Sequence, residues 1–376
     1  MAVAASLGAV SIAANAAGPT VYGDIAVAFT YNTASANAPT AAEVAAAQAA
    51  DPFAADTNVG QESGYALNDN VSLLGVKGEA AVMDGTKFIY DFNFILTQLR
   101  PIDVPQTHLS TIGLDGSFGT ASLALRENGL FVGMVDGGTY QTNWFYTPGM
   151  SALQVSNAIT YKSMPIAGFQ FGVQAFDIGK DGSTGKSTNN YTLAGSFAKD
   201  ALTFGLGYTS YSQYGDGATK NTGSLDGNQF GDSTNMFAGQ TLKNTLGLSA
   251  GFKADKFGVV GAYDMRKPND GTADTSSINT LMVTGSFSVS PKVTLVGNLS
   301  TTSQSDSGGV KGAKGNIITL MASYAPADNL FFSVELQNSN ADANKTGVTG
   351  ATGPVDGTYG ASKSSTGIAV GATYSF

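Results

Sequence analysis

From Thr20 to Phe376, apolar and polar positions alternate with a period of two, the pattern of strands that present one row of side chains on each face. Between Thr86 and Leu96, one row is Phe88, Tyr90, Phe92, Phe94 and Leu96, while Lys87, Asp91 and Asn93 share the opposite row with Ile89 and Ile95. One row suits hydrocarbon and the other mostly water. The same contrast sets Leu74, Val76, Gly78 and Ala80 against Lys77 and Glu79, and sets Phe169, Phe171, Val173 and Ala175 against Gln170, Gly172 and Gln174. Leu202, Phe204, Leu206 and Tyr208 repeat it.

Sixteen such segments are predicted, near 20–32, 71–82, 86–96, 109–115, 119–126, 156–163, 168–178, 190–198, 202–211, 243–253, 256–265, 278–288, 292–300, 316–324, 330–337 and 365–376. Brief turns such as Asp84-Gly85, Asp115-Gly116, Lys199-Asp200 and Ser290-Pro291 alternate with long polar connections. Short turns on one rim and long loops on the other belong to membrane barrels rather than to soluble sandwiches. Aromatics also close many apolar rows, as at Tyr31, Tyr90, Phe197, Tyr208, Phe252, Tyr263, Phe287 and Tyr324, where interfacial girdles would lie. The expected fold is all-β: a transmembrane, antiparallel, 16-stranded β-barrel with short periplasmic turns and long extracellular loops.

Composition sharpens this picture. Only 12% of the 376 residues are charged, against roughly 25% in ordinary soluble domains. A sandwich would carry abundant charge on its outer faces, whereas the polar rows here are mostly Ser, Thr, Gly, Asn and Gln. No apolar run is long enough for a spanning helix. There is no cysteine and one histidine, His108, so thiolate chemistry and an imidazole pair for zinc are absent. No catalytic set, metal site or cofactor is expected. A net charge of −9, with arginine only at Arg100, Arg126 and Arg266, argues against a nucleic-acid partner.

At the N-terminus, the small apolar stretch Ala2–Ala13 leads to Ala14-Asn15-Ala16, which has signal-peptidase spacing but lacks a basic n-region. Residues 1–16 are therefore expected to be a truncated signal peptide and 17–376 a single barrel domain. Gly182 to Ser187 mimics a phosphate-binding loop, yet Lys180 stands where that motif needs glycine. Thr40 and Glu43 have capping-box spacing ahead of Val44–Ala50, predicting a short helix in the first long loop.

The final strand alternates through Ile368, Val370, Ala372, Tyr374 and Phe376, which resembles the C-terminal signature by which outer-membrane proteins are recognised for assembly. Further matches are Val21-Tyr22-Gly23-Asp24-Ile25, Leu74-Gly75-Val76-Lys77-Gly78 and Gly113-Leu114-Asp115-Gly116-Ser117-Phe118-Gly119-Thr120. They continue with Asn157-Ala158-Ile159-Thr160-Tyr161 and Gly168-Phe169-Gln170-Phe171-Gly172. In order and spacing the chain resembles the general diffusion porins of Gram-negative bacteria, the sixteen-stranded trimeric kind found in proteobacteria.

That resemblance implies an outer-membrane channel for passive diffusion of ions and small hydrophilic solutes, assembled as a homotrimer among outer-membrane lipids and lipopolysaccharide by the barrel assembly machinery. It implies that the third long loop, Glu127 to Val155, folds into the lumen. It further implies a constriction with basic groups on the wall facing acidic groups on the loop, a transverse field that favours one ion sign. Arg126 matches the family's arginine at the end of the fifth strand. Lys77, Lys87 and Lys162 are further basic candidates. Glu79 and Asp91 are acidic candidates on the wall, and Glu127 and Asp136 on the loop. Thr160 stands where relatives often have arginine, which implies a weaker field. Mild cation selectivity is the expectation. Two alternatives stay open: a substrate-specific channel, for example for saccharides, using Phe176, Phe331 and Trp144, or an adhesin that acts through the long loops.

Overall fold

The computed structural model describes residues 18–34, 64–69, 72–96, 106–135, 154–180, 187–211, 242–268, 277–304, 314–340 and 364–376. Seventeen strand segments form one antiparallel sheet: β1 (Thr20–Ala34), β2 (Gly64–Asp69), β3 (Leu73–Met83), β4 (Thr86–Ile95), β5 (Gln106–Gly116), β6 (Gly119–Asn128), β7 (Gln154–Lys162), β8 (Phe169–Lys180) and β9 (Ser187–Lys199), followed by β10 (Leu202–Ser210), β11 (Leu242–Lys253), β12 (Phe257–Pro268), β13 (Ile278–Ser290), β14 (Val293–Gln304), β15 (Lys314–Ala327), β16 (Leu330–Asn340) and β17 (Ser364–Ser375). Among the described residues one helix, α1 (Leu130–Val135), follows β6. β2 and β3 pair with successive stretches of β1, so together they make one stave, and the barrel has sixteen staves.

The break in that stave has a local cause. The polar run Asn68-Asp69-Asn70 interrupts the alternation. Just beyond it, the fully buried Ser72 takes over the ladder: its Oγ accepts from the Ala26 N–H at 3.0 Å and its carbonyl from the Leu96 N–H at 2.7 Å.

The sheet closes by pairing β1 with β17 from Asp24↔Ser375 to Ala34↔Ser365. Beyond the last ladder pair, Gly23 and Phe376 exchange two backbone hydrogen bonds of 3.0 Å. The Phe376 ring lies over Gly23, where a Cβ would sit 2.7 Å from Cζ. Closure matters because hydrocarbon cannot satisfy an open strand edge.

Side chains sort by the alternation. Outward rows such as Phe169, Phe171 and Val173, or Leu202, Phe204 and Leu206, are exposed, whereas inward rows such as Thr280, Met282 and Thr284 are buried. An aromatic belt follows the short-turn rim, with ring centroids 4.5 Å apart for Phe169–Phe197, 6.2 Å for Phe197–Phe204 and 5.7 Å for Phe252–Phe257. The turns on that rim need special backbone. Gly119 has φ +107°, and a Cβ there would sit 2.2 Å from the Lys162 carbonyl oxygen. Only glycine fits that approach. The helix expected after Thr40 lies outside the described residues.

Candidate functional site

The connection from β6 to β7 begins by turning inward. Leu130 and Met134 of α1 lie against Gly172, which alternates with the outward-facing Phe171 and Val173, so α1 lies on the inner side of the wall. The wall is shaped for it. Gly172, Ala194, Gly207 and Gly247 are opposed directly across β8, β9, β10 and β11 and form a trough of small residues. A Cβ on Gly207 would sit 2.6 Å from Val135 Cγ2, and one on Gly205 would sit 2.6 Å from the Met134 carbonyl oxygen. Leu130, Phe131, Met134 and Val135 are buried there together with Ala194, Ala262 and Met282. Burial on this scale is worth about 1.5–3 kcal/mol per large apolar side chain. It explains why a six-residue helix, marginal on its own, forms at this place.

Beside the trough runs a polar row. Ser122, Thr160, Gln174, Thr192, Thr209, Thr245 and Arg266 are opposed in register from β6 to β12. The Thr192 and Thr209 hydroxyls lie 2.9 Å apart. Where this row meets the start of the loop, Gln174 Nε2 donates to Glu127 Oε1 at 3.0 Å, Thr160 Oγ1 at 3.0 Å and the Asn128 carbonyl at 3.2 Å. Its Oε1 accepts from the Leu130 N–H at 2.9 Å. Glu127 also accepts from the Thr160 hydroxyl and, at 3.3 Å, from Ser122 Oγ. Sequence spacing puts Glu127 on the loop, facing the basic wall. The structure puts it within β6, only 8% exposed and tied into the wall by three side chains. Asp136, Trp144 and the rest of the loop to residue 153 lie outside the described residues.

The remaining predicted residues fall into separate groups. Lys77, Glu79, Lys87 and Asp91 share the inner face of β3 and β4, with Lys77 opposite Asp91. Lys77 Nζ lies 4.7 Å from the centre of the Tyr22 ring, a cation–π distance. The Tyr22 hydroxyl donates to Asp91 and accepts from Asn93 Nδ2 at 2.7 Å, and Asn93 Oδ1 is 2.9 Å from His108 Nδ1. Glu79 and Lys87 form an exposed ion pair at 2.7 Å near the short-turn rim. Lys162 ends β7 opposite Thr120, whose hydroxyl donates to Asp115 at 2.6 Å. Arg126 reaches back to β5, Nη1 to the Thr107 carbonyl at 3.4 Å. Phe176 is buried edge-on to Tyr211, at 6.1 Å, rather than offered along an aromatic track.

Other inward-facing groups lie outside the residues predicted from the sequence. Asp264 and Arg266 form a buried ion pair on β12, with Arg266 Nη2 donating to Asp264 Oδ1 at 3.1 Å and to Thr280 Oγ1 at 2.9 Å. Glu335 on β16 is fully buried. A signal for the pair exists in the chain, since Asp264 and Arg266 occupy one row and Tyr263 and Met265 the other. Gln174 carries no charge signal at all.

A closed barrel of sixteen antiparallel staves, apolar outside and lined inside by hydroxyls, amides and charged groups, defines a membrane channel protein of the outer-membrane type. Residues 2–376 match the family described as Gram-negative porin, and the chain belongs to that family. It is an outer-membrane porin, a channel for diffusion. No curated protein matches its sequence. Among solved structures, it is similar to an anion-selective porin from Comamonas acidovorans, with TM-score 0.67 and 16% identity over 96% of this chain and 100% of that one. It is also similar to OmpF of Salmonella typhi in complex with daunomycin, with TM-score 0.65 and 13% identity over 95% and 97%. The trimer form of OmpT from Vibrio cholerae gives TM-score 0.64 and 12% identity over 96% and 100%. At such identities the likeness is one of fold.

Proposed function

We propose that this porin is a homotrimeric, non-catalytic diffusion pore with a mild preference for cations, narrowed by the loop that begins with α1. The observation that carries the charge preference is the inventory of the inner wall. Glu79 is paired with Lys87, Asp264 with Arg266, and Asp91 stands opposite Lys77. Among the described residues below the long-loop rim, the inward rows then carry Asp24, Asp115, Glu127 and Glu335 against Lys162 and Lys253. The surplus is small and negative, so the expected selectivity is weak. The trimeric form of the OmpT relative supports a trimer, and the placement of α1 against the inner wall supports a narrowed lumen. The anion selectivity of the Comamonas relative belongs to that protein, and a reversed surplus in this lumen would reverse the sign. Residues 1–16 would be removed on export.

Single-channel current in a planar bilayer tests this reading, with the reversal potential measured across a salt gradient. Closures in groups of three and a small potential favouring cations are expected, with larger conductance after deletion of 136–150. An anion-favouring potential would overturn the assigned sign. Unchanged conductance in the deletion variant would overturn the narrowing role of the loop.

A further inference from the structure

We propose that Gln174 is the positioning residue that holds the inward-turning loop against the channel wall, an inference that rests on the reading of this loop as the constriction. Gln174 is 1% exposed and lies on β8, far in sequence from the loop it touches. Its side chain joins three elements: the end of β6 through Glu127 and Asn128, β7 through Thr160, and α1 through the Leu130 N–H. The chemistry suits an amide and little else. The Leu130 N–H is one of the donors that a helix start leaves unsatisfied, and it needs an acceptor. Glu127 and the Asn128 carbonyl, at the exit from β6, need donors. A carboxamide offers one acceptor and two donors on one planar group.

Leucine at this position would supply neither, leaving Glu127 short of a donor in a buried site. A glutamate would keep the acceptor for Leu130 but would set a second carboxylate against Glu127. The apolar trough attracts α1 without fixing its position along the groove, since dispersion and hydrophobic contact have little directionality. The amide supplies the direction. Gln174 thus makes the start of the loop a fixed part of the lumen, and the width of the channel depends on a residue that touches no solute.

The test uses the full-length porin in planar bilayers, recording open-channel current noise and brief current substates for the parent, Gln174→Leu and Gln174→Glu. Gln174→Leu is expected to raise the frequency of substates about tenfold, the factor that corresponds to losing about 1.4 kcal/mol. The folded barrel should still form, because no ladder pair is altered. In the exchange variant Glu127→Gln with Gln174→Glu, one carboxylate and one amide are returned to the site and the noise should fall back toward the parent level. If Gln174→Leu assembles poorly, the comparison of Gln174→Glu with the exchange variant decides the matter. Parent-like noise in both single variants, or an exchange variant as noisy as Gln174→Glu, overturns the proposal. A deletion of 136–150 that raises conductance while Gln174→Leu stays quiet would reject Gln174 and keep the loop as constriction. A deletion without effect would reject the constriction itself.

Discussion

Replacing Gly205 with alanine should lift α1 away from the wall. The added methyl would sit 2.6 Å from the Met134 carbonyl oxygen and 2.7 Å from Val135 Cα, both backbone atoms that no rotamer change can move aside. Overpacking of this kind costs about 1–3 kcal/mol. If the whole cost falls on the docked helix, the undocked population rises roughly 5- to 150-fold. The assay uses the absence of native cysteine. Val135, which is 0% exposed, is changed to cysteine, and its rate of labelling by a charged, water-soluble thiol reagent is measured with and without Gly205→Ala. Labelling reports the open population when docking and undocking are fast relative to the reaction. Gly195→Ala is the control, since its new methyl would meet nothing nearer than 3.8 Å, and it should leave the rate unchanged. A folded Gly205→Ala barrel labelled at the parent rate would refute the trough as the seat of the helix.

Three further outcomes follow from the described contacts. Arg266→Met should lower stability in urea titrations of the reconstituted barrel by about 3–5 kcal/mol, because it strands the buried Asp264 carboxylate; Arg266→Met with Asp264→Leu should recover most of the loss, and equal damage in both would refute the pairing argument. Phe376→Ser removes the ring over Gly23 while keeping the two backbone hydrogen bonds, so heat-resistant barrel in the outer membrane should fall several-fold, and parent-like amounts would count against the closing role of the ring. Lys87→Met breaks an ion pair whose side chains are 51% and 49% exposed; stability should stay close to that of the parent because solvent screens the pair, while the reversal potential shifts toward cations, and a shift toward anions would contradict the wall inventory.

The outward face was the legible part of the sequence. Lipid demands apolar side chains at every second position, and that demand is written locally, so sixteen staves and their turns follow from alternation alone. Strand ends were less legible. Alternation fades after Ser300, yet β14 runs on to Gln304 through Thr301, Thr302 and Ser303, because the backbone ladder with β13 continues whatever the polarity of the side chains. The second stave shows the same effect, its polar run hiding β2 from a hydrophobicity pattern. The inner face was harder to read. Leu130–Val135 is a short apolar stretch with a glycine inside, and its helix depends on glycines in β8 and β10 that no local window contains. Glu127 reads as a free carboxylate by charge alone, and only the register of β6, β7 and β8 brings Thr160 and Gln174 to it. Lys77, Glu79, Lys87 and Asp91 do share a face, as the period-two pattern predicts.

The seam between β1 and β17 ties the closure of this channel to its entry into the membrane. β1 is partnered on one side by β17, the stave most distant from it in chain order, so a sheet that lacks β17 leaves β1 with a long row of unpaired amides and carbonyls. Such an edge invites pairing with other chains in water and is intolerable in hydrocarbon. A partial sheet is therefore a poor resting place in either medium, and contacts between distant parts of a chain form slowly. Insertion and closure are therefore coupled, because the pairing of β17 with β1 removes the edge that neither medium accepts.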